Sequence, residues 1–302
     1  MHKCSHHDHV PANYGWAFAI GIALNLIFVI VEAAYGFWAN SLALLADAGH
    51  NLSDVLGLLL AWGSYALAKL APSPNRTYGW RGSTILAALF NALLLLLAIG
   101  GIAWEAIGRL AAPAPVAAPT IIVVALIGVV INTATAMLFM RGRRHDLNIR
   151  GAYLHMAADA MLSLGVVIAG ILITMTNLLW IDPVTSLIIA AVIFWSTWNL
   201  LLESFNLAMH AVPATVDIGE VDDYLNSLPG VTEVHDLHVW AMSTTEIALT
   251  AHLVKPTATN DDQLLRETGH QLQHQFGISH STIQIERSVD EASCGQSEEG
   301  SL

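Results

Sequence analysis

The sequence predicts a six-helix membrane domain followed by a small α+β domain. Three observations carry that class. Charged side chains make up only 12% of the 302 residues while apolar ones make up 55%, whereas a soluble domain of this size carries about a quarter charged residues. The mean hydropathy is +0.56. The charge is also segregated: residues 205–302 hold three basic side chains (Lys255, Arg266, Arg287) against fifteen acidic ones, and residues 1–204 hold nine of each. The whole net charge of −12 therefore belongs to the C-terminal part.

The membrane elements follow from stretches with no Lys, Arg, Asp or Glu, at 82–104, 110–140, 160–181 and 183–202. About 20 apolar residues in a helix, rising 1.5 Å each, cross a hydrocarbon core. Six spans are expected, at roughly 14–37, 41–69, 80–108, 117–140, 150–176 and 181–204. Breaks rich in Pro, Gly, Asn or charge separate them, at Trp38–Asn40, Pro72–Pro74, Pro113–Pro119, Arg141–Asn148 and Asn177–Asp182. An even number of spans puts both termini on one side. Lys3, Lys69, Arg76, Arg81, Arg141, Arg143, Arg144 and Arg150 flank the N-terminal tail and the second–third and fourth–fifth loops, so that side is expected to be cytoplasmic. Arg109 is the exception on the opposite side. The first apolar run is longer than a signal-peptide core and lacks a basic leader.

After Pro213 the pattern changes. A helix is expected over 216–228, strands over Val231–Met242 and Glu246–Lys255, an amphipathic helix over Asp261–Phe276 and a third strand over Ser281–Glu286. An α-β-β-α-β order stacks helices on one face of a sheet. The expected organisation is a His-rich tail over 1–13, the membrane domain over 14–204, the cytoplasmic domain over 205–290 and a polar tail over 291–302. An acidic cytoplasmic surface repels nucleic acid and attracts cations. Cys4 and Cys294 alone make no disulfide framework.

Chemistry is carried by ionisable side chains inside the spans. The second span reads Asp47-Ala-Gly-His50-Asn-Leu-Ser-Asp54 and the fifth reads His155-Met-Ala-Ala-Asp159. Each holds His-x-x-x-Asp, which puts both side chains on one helix face. Buried ionisable groups within a bilayer mark ion pathways. Two such helices face to face would supply two imidazoles and two carboxylates, the number and type of ligand that tetrahedral zinc takes. Two carboxylates balance a divalent ion, and each imidazole must shed its proton to bind metal. Metal/proton exchange follows. Asp47 reads either as an outer partner orienting His50 or as a helix–loop hydrogen bond. Glu32, Asn25, Asn91 and Asn132 read as interhelical hydrogen-bonding groups, and Glu105 and Glu203 as solvated span ends. The alternative functions are a membrane metal sensor and an intramembrane metalloenzyme. Four protein ligands leave no open position for activated water, and no His-Glu-x-x-His occurs, so the chain is not expected to be an enzyme.

Ser41-Leu-Ala-Leu-Leu-Ala-Asp-Ala-Gly-His-Asn-Leu-Ser-Asp54, Arg76-Thr-Tyr-Gly-Trp80, Arg150-Gly-Ala-Tyr-Leu-His-Met-Ala-Ala-Asp159 and Val234-His-Asp-Leu-His-Val-Trp240 resemble the cation diffusion facilitator family over residues 14–290. The resemblance implies six membrane helices, a ferredoxin-like cytoplasmic domain, a homodimer and proton-driven export of divalent metal from the cytoplasm. His50, Asp54, His155 and Asp159 fall on the family's transport-site positions. That set resembles the zinc-preferring branches, with cobalt and cadmium as the other candidates. His235, His252 and Glu286 match positions that bind metal in the cytoplasmic domain of some relatives. His238 is expected on the opposite strand face from His235 by alternation, in a structural role. The Pro72–Trp80 loop lacks the His and Asp that some members use for a second site, and only His145 stands in the fourth–fifth loop. The tail residues His2, Cys4, His6, His7 and His9, with Cys294, read as a weak metal-capturing set.

Overall fold

The structure, a computed structural model, describes residues 15–68, 70–140 and 147–288. Lys69, Arg141, Arg143, Arg144, His145, the His-rich tail and Cys294 lie outside them. Six long helices fill the first two thirds of the described chain: α1 (Gly15–Ala39), α2 (Leu42–Ala68), α3 (Ser83–Ala111), α4 (Ala118–Phe139), α5 (Leu147–Thr176) and α6 (Ile181–Ala208). Four contain segments long and apolar enough to cross a membrane: Ser83–Ala111, Ala118–Leu138, Tyr153–Thr176 and Ile181–Ala208; the Ala23–Ala39 part of α1 is apolar as well. Large apolar side chains point outward along them, among them Ile30, Phe37, Leu97, Trp104, Met175 and Trp195. Polar ones such as Glu32, Asp47, Asn132 and Asp159 are turned in. This is the inverse of a soluble bundle and marks an integral membrane protein. Prolines sit where helices begin, at Pro119 and Pro183, where no amide hydrogen is needed. Asn40, Asn177 and His210 adopt positive φ where α1, α5 and α6 end.

The chain divides into two compact units, residues 1–56 with 94–197, and residues 57–93 with 198–302. The first has an apolar core of Phe28, Leu44, Ile121, Val124, Val166 and Ile193 with several alanines. Helix α4 packs on α5 and α1. Glycines allow the approach: a Cβ at Gly128 would lie 2.7 Å from Phe28 Cζ and 3.1 Å from Ser163 Oγ. At one end, Asp182 of α6 caps α2. Its carboxylate accepts from Ser41 Oγ, from Leu42 N at 2.9 Å and from Ala43 N at 3.4 Å. Arg109 donates to the Asn40 carbonyl and side chain and pairs with Glu105 at 3.1 Å.

The second unit contains α7 (Ile218–Asn226), β1 (Glu233–Ala241), β2 (Ile247–Val254), α8 (Asp261–Phe276) and β3 (Ile278–Glu286). The predicted element order holds. The sheet runs β1-β2-β3, with β1 antiparallel and β3 parallel to β2. Val221 and Leu225 of α7 and Leu272 of α8 pack on Leu237, Val239, Leu249, Ala251 and Leu253. Asp217 caps α7 through Gly219 N and Glu220 N. Strand β3 starts three residues earlier than expected, because Gly277, at φ +72°, ends α8 and turns the chain straight into the sheet. In the same unit the start of α3 meets the β1–β2 turn: Thr244 N donates to Thr84 Oγ1 at 3.0 Å, and Arg81 pairs with Glu246 at 3.1 Å.

One expectation fails here. The β1–β2 register shifts between His235, opposite His252, and His238, opposite Thr250. Thr250 and His252 are two apart and share a face, so His235 and His238 share it too. The cause is an extra residue at Asp236, which adopts φ +52°; a bulge adds one to the count and cancels the alternation.

Candidate metal centre

Two helices build the membrane site, and each contributes a residue pair one turn apart. His50 and Asp54 come from α2, His155 and Asp159 from α5. The pairs cross. His50 Nε2 lies 3.3 Å from Asp159 Oδ1 and 3.8 Å from Asp54 Oδ2. His155 Nε2 lies 3.3 Å from Asp54 Oδ2 and 3.7 Å from Asp159 Oδ2. Each imidazole is thus nearer the carboxylate of the opposite helix than that of its own. Donor atoms held about 2.0–2.1 Å from a tetrahedral ion stand roughly 3.3–3.4 Å apart, and the cross-helix contacts already match that spacing. The donors of His50, Asp54 and Asp159 lie within 4.8 Å of one another. His155 stands outside that triangle and touches it through the two carboxylates, its ring 6.3 Å from the His50 ring. Asp159 is 2% exposed and His155 44% exposed, so the site is closed on one side and open on the other. Asp54 Oδ2 and Asp159 Oδ1 are buried and make no well-aligned hydrogen bond among the described residues, facing an imidazole nitrogen 3.3 Å away in each case. Carboxylate oxygens and imidazole nitrogens turned together at this spacing fit a cation.

Asp47 takes neither of its two expected partners. It accepts from Ser163 Oγ of α5 at 2.8 Å, while its other oxygen, Oδ1, and His50 Nδ1 have no hydrogen-bond partner among the described residues. Of the expected interhelical groups, Glu32 accepts from Asn51 Nδ2 at 3.1 Å and Asn25 reaches Met156 Sδ at 3.6 Å. Glu105 is exposed.

The cytoplasmic cluster lies on the sheet face away from α7 and α8. His235 Nε2 is 3.4 Å from Glu286 Oε2, and His252 Nδ1 is 3.1 Å from Glu286 Oε1. The three donors lie within 4.8 Å of one another. His235 and Glu286 are nearly buried, and both His235 nitrogens and Glu286 Oε2 lack hydrogen bonds among the described residues. Asp236, carried in by the bulge, stands beside them, 2.8 Å from His238 Nε2 and 3.6 Å from His252 Nε2. Sequence reasoning missed Asp236. The one signal for it is that Asp, unlike the Val and Leu around it, tolerates positive φ.

A His/Asp cluster between two helices of the first unit and a His/Glu cluster on the sheet of the second are what a membrane carrier of metal ions would hold. Residues 18–207 match the cation efflux transmembrane domain, and residues 213–288 match the cytoplasmic domain of cation efflux proteins. The chain belongs to the cation efflux family, the cation diffusion facilitators. It is 37% identical to the metal cation efflux system protein CzcD of Cupriavidus metallidurans over 281 residues, 93% of this chain and 89% of that protein. It is also 37% identical to the cadmium, cobalt and zinc/H(+)-K(+) antiporter of Bacillus subtilis over 264 residues, covering 86% and 85% of the two chains. Among solved structures, the metal-bound C-terminal domain of the CzcD transporter from Cupriavidus metallidurans is 42% identical, covering 24% of this chain and 99% of that one, with a TM-score of 0.22.

Proposed function

We propose that the chain is a divalent metal/proton antiporter that exports zinc (Zn2+) from the cytoplasm, with cobalt and cadmium as further substrates. His50, Asp54, His155 and Asp159 are its transport ligands. The observation that carries this reading is the crossed pairing, with each imidazole 3.3 Å from the opposite helix's carboxylate. Two imidazolium ions on two carboxylates sum to zero charge; so do one divalent ion, two neutral imidazoles and the same two carboxylates. One metal exchanges for two protons with no charge left in the membrane interior, where an unpaired ion costs several kcal/mol. The metal enters from the cytoplasm and leaves outward after the helices rock about the site. All six long helices cross the plasma (inner) membrane, with both termini cytoplasmic. The cytoplasmic α+β domain is ferredoxin-like, two copies make a homodimer, and His235, His252 and Glu286 bind a second metal that biases its conformation. The names of both relatives support the substrate class.

Proteoliposomes with an imposed pH gradient test the reading. Wild type accumulates zinc, cobalt or cadmium against its gradient, and Asp54→Ala and Asp159→Ala each lower uptake by at least about 100-fold, since losing even an outer metal partner costs 10–100-fold. If either variant carries zinc at the wild-type rate, the ligand assignment is wrong.

A further inference from the structure

One turn along α2 from His50, towards the helix N-terminus, two carboxyl groups from different helices approach each other. Glu32 of α1 and Asp47 of α2 are both fully buried. One oxygen of each is satisfied by a neutral donor, Asn51 Nδ2 for Glu32 and Ser163 Oγ for Asp47. The other oxygens, Glu32 Oε1 and Asp47 Oδ1, are buried and have no hydrogen-bond partner among the described residues; Asn51, which holds Glu32, lies one turn from Asp47 on the same face of α2, and this sets the two carboxyls side by side. The groups facing them cannot compensate two charges. Helix α4, packed on α1, carries no titratable residue over 118–139. From α2 and α5 the charged neighbours are His50 and Asp159, which are already paired.

Two ionised carboxylates in contact, away from water, repel by more than this packing can hold. The orphan oxygens are reconciled if one carboxyl keeps its proton and donates it to the other. We propose that Glu32 and Asp47 share a single proton and act as a positioning pair, distinct from the metal ligands, that ties α1 to the turn of α2 preceding His50. This deepens the antiporter reading and rests on it for its consequence. When the shared proton leaves at high pH, the carboxylates separate and α1 releases α2. Loss of the pair's proton therefore undoes the support of the turn that carries His50.

The test uses the full chain in liposomes, with free zinc held constant by a chelating buffer. Wild-type uptake is expected to fall at alkaline pH, by about tenfold per pH unit for loss of one proton. In Glu32→Gln the amide donates to Asp47 without a titratable proton, so the alkaline limb vanishes while zinc uptake at neutral pH persists. Infrared spectra of metal-free protein at neutral pH read the shared proton directly, as a protonated-carboxyl band present in wild type and lost in Glu32→Gln. The proposal is overturned if wild type lacks that band, if Glu32→Gln keeps the wild-type alkaline limb, or if potassium in place of sodium abolishes the band. A wild type that shows the band but moves no zinc at any pH refutes the antiporter reading and leaves the shared proton standing.

Discussion

Asp182 stands in the first turn of α6, yet the backbone it serves is that of α2. Three donors converge on its buried carboxylate, two of them amide groups that the start of a helix leaves without partners. Truncation strands those donors, so Asp182→Ala is expected to cost about 2–4 kcal/mol. Asp182→Asn keeps one acceptor and should cost less; thermal unfolding in detergent ranks the pair. None of this was legible in the sequence, because the partners lie 140 residues away. His50, Asp54, His155 and Asp159 were legible for the opposite reason: a four-residue spacing fixes a shared helix face without any tertiary knowledge. Which carboxylate each imidazole would touch was not, since the crossing depends on how α2 and α5 pack. His238 shows where local rules mislead. Alternation assumes an unbroken ladder, and the bulge at Asp236 breaks it.

At the scale of elements, the seam where α1 and α5 flank α4 depends on a missing side chain. A methyl at Gly128 would overlap the Phe28 ring and crowd Ser163, the residue that holds Asp47. Gly128→Ala is expected to destabilise by about 1–3 kcal/mol. Combining it with Phe28→Leu, which clears the space, should cost less than the two single changes added; a double-mutant cycle on unfolding free energies measures that difference. The long helices were readable from charge-free runs, and α6 continues to Ala208 because Phe205–Ala208 remains compatible with a helix. Helix α2 is long but is not among the four whose described residues contain a segment apolar enough to cross a membrane. Asp47, His50, Asn51 and Asp54 dilute it, so the same residues that announce its chemistry mask its character as a span.

For the whole molecule, charge divides the labour: residues 1–204 are neutral overall and the net charge of −12 belongs to residues 205–302. That domain secures the start of α8 with a cation pair. Lys255 Nζ donates to Asp261 Oδ1 at 2.8 Å and to the carbonyls of Thr257 and Thr259, and Arg287 reaches the other Asp261 oxygen. The Lys255 hydrogen bond, then that from Arg287, holds the Asp261 carboxyl below its ordinary range. A group depressed in the folded state stabilises above its unfolded pKa, about 3.9, and loses that contribution as pH falls through its folded value. The domain's unfolding midpoint in the full-length protein should therefore be insensitive to this group above about pH 5 and decline below about pH 4. Asp261→Asn should lower the midpoint at neutral pH and weaken that acid dependence, read by circular dichroism.

The crossed imidazole–carboxylate pairs bear on how the carrier meets a membrane voltage. In the proposed exchange the moving region has the same valence laden with metal or with protons. Whatever electrical work the field does on the outward stroke is returned on the inward one. Such a cycle draws on the pH difference alone, and a cell whose voltage has collapsed while its pH gradient persists would keep the power to clear the ion.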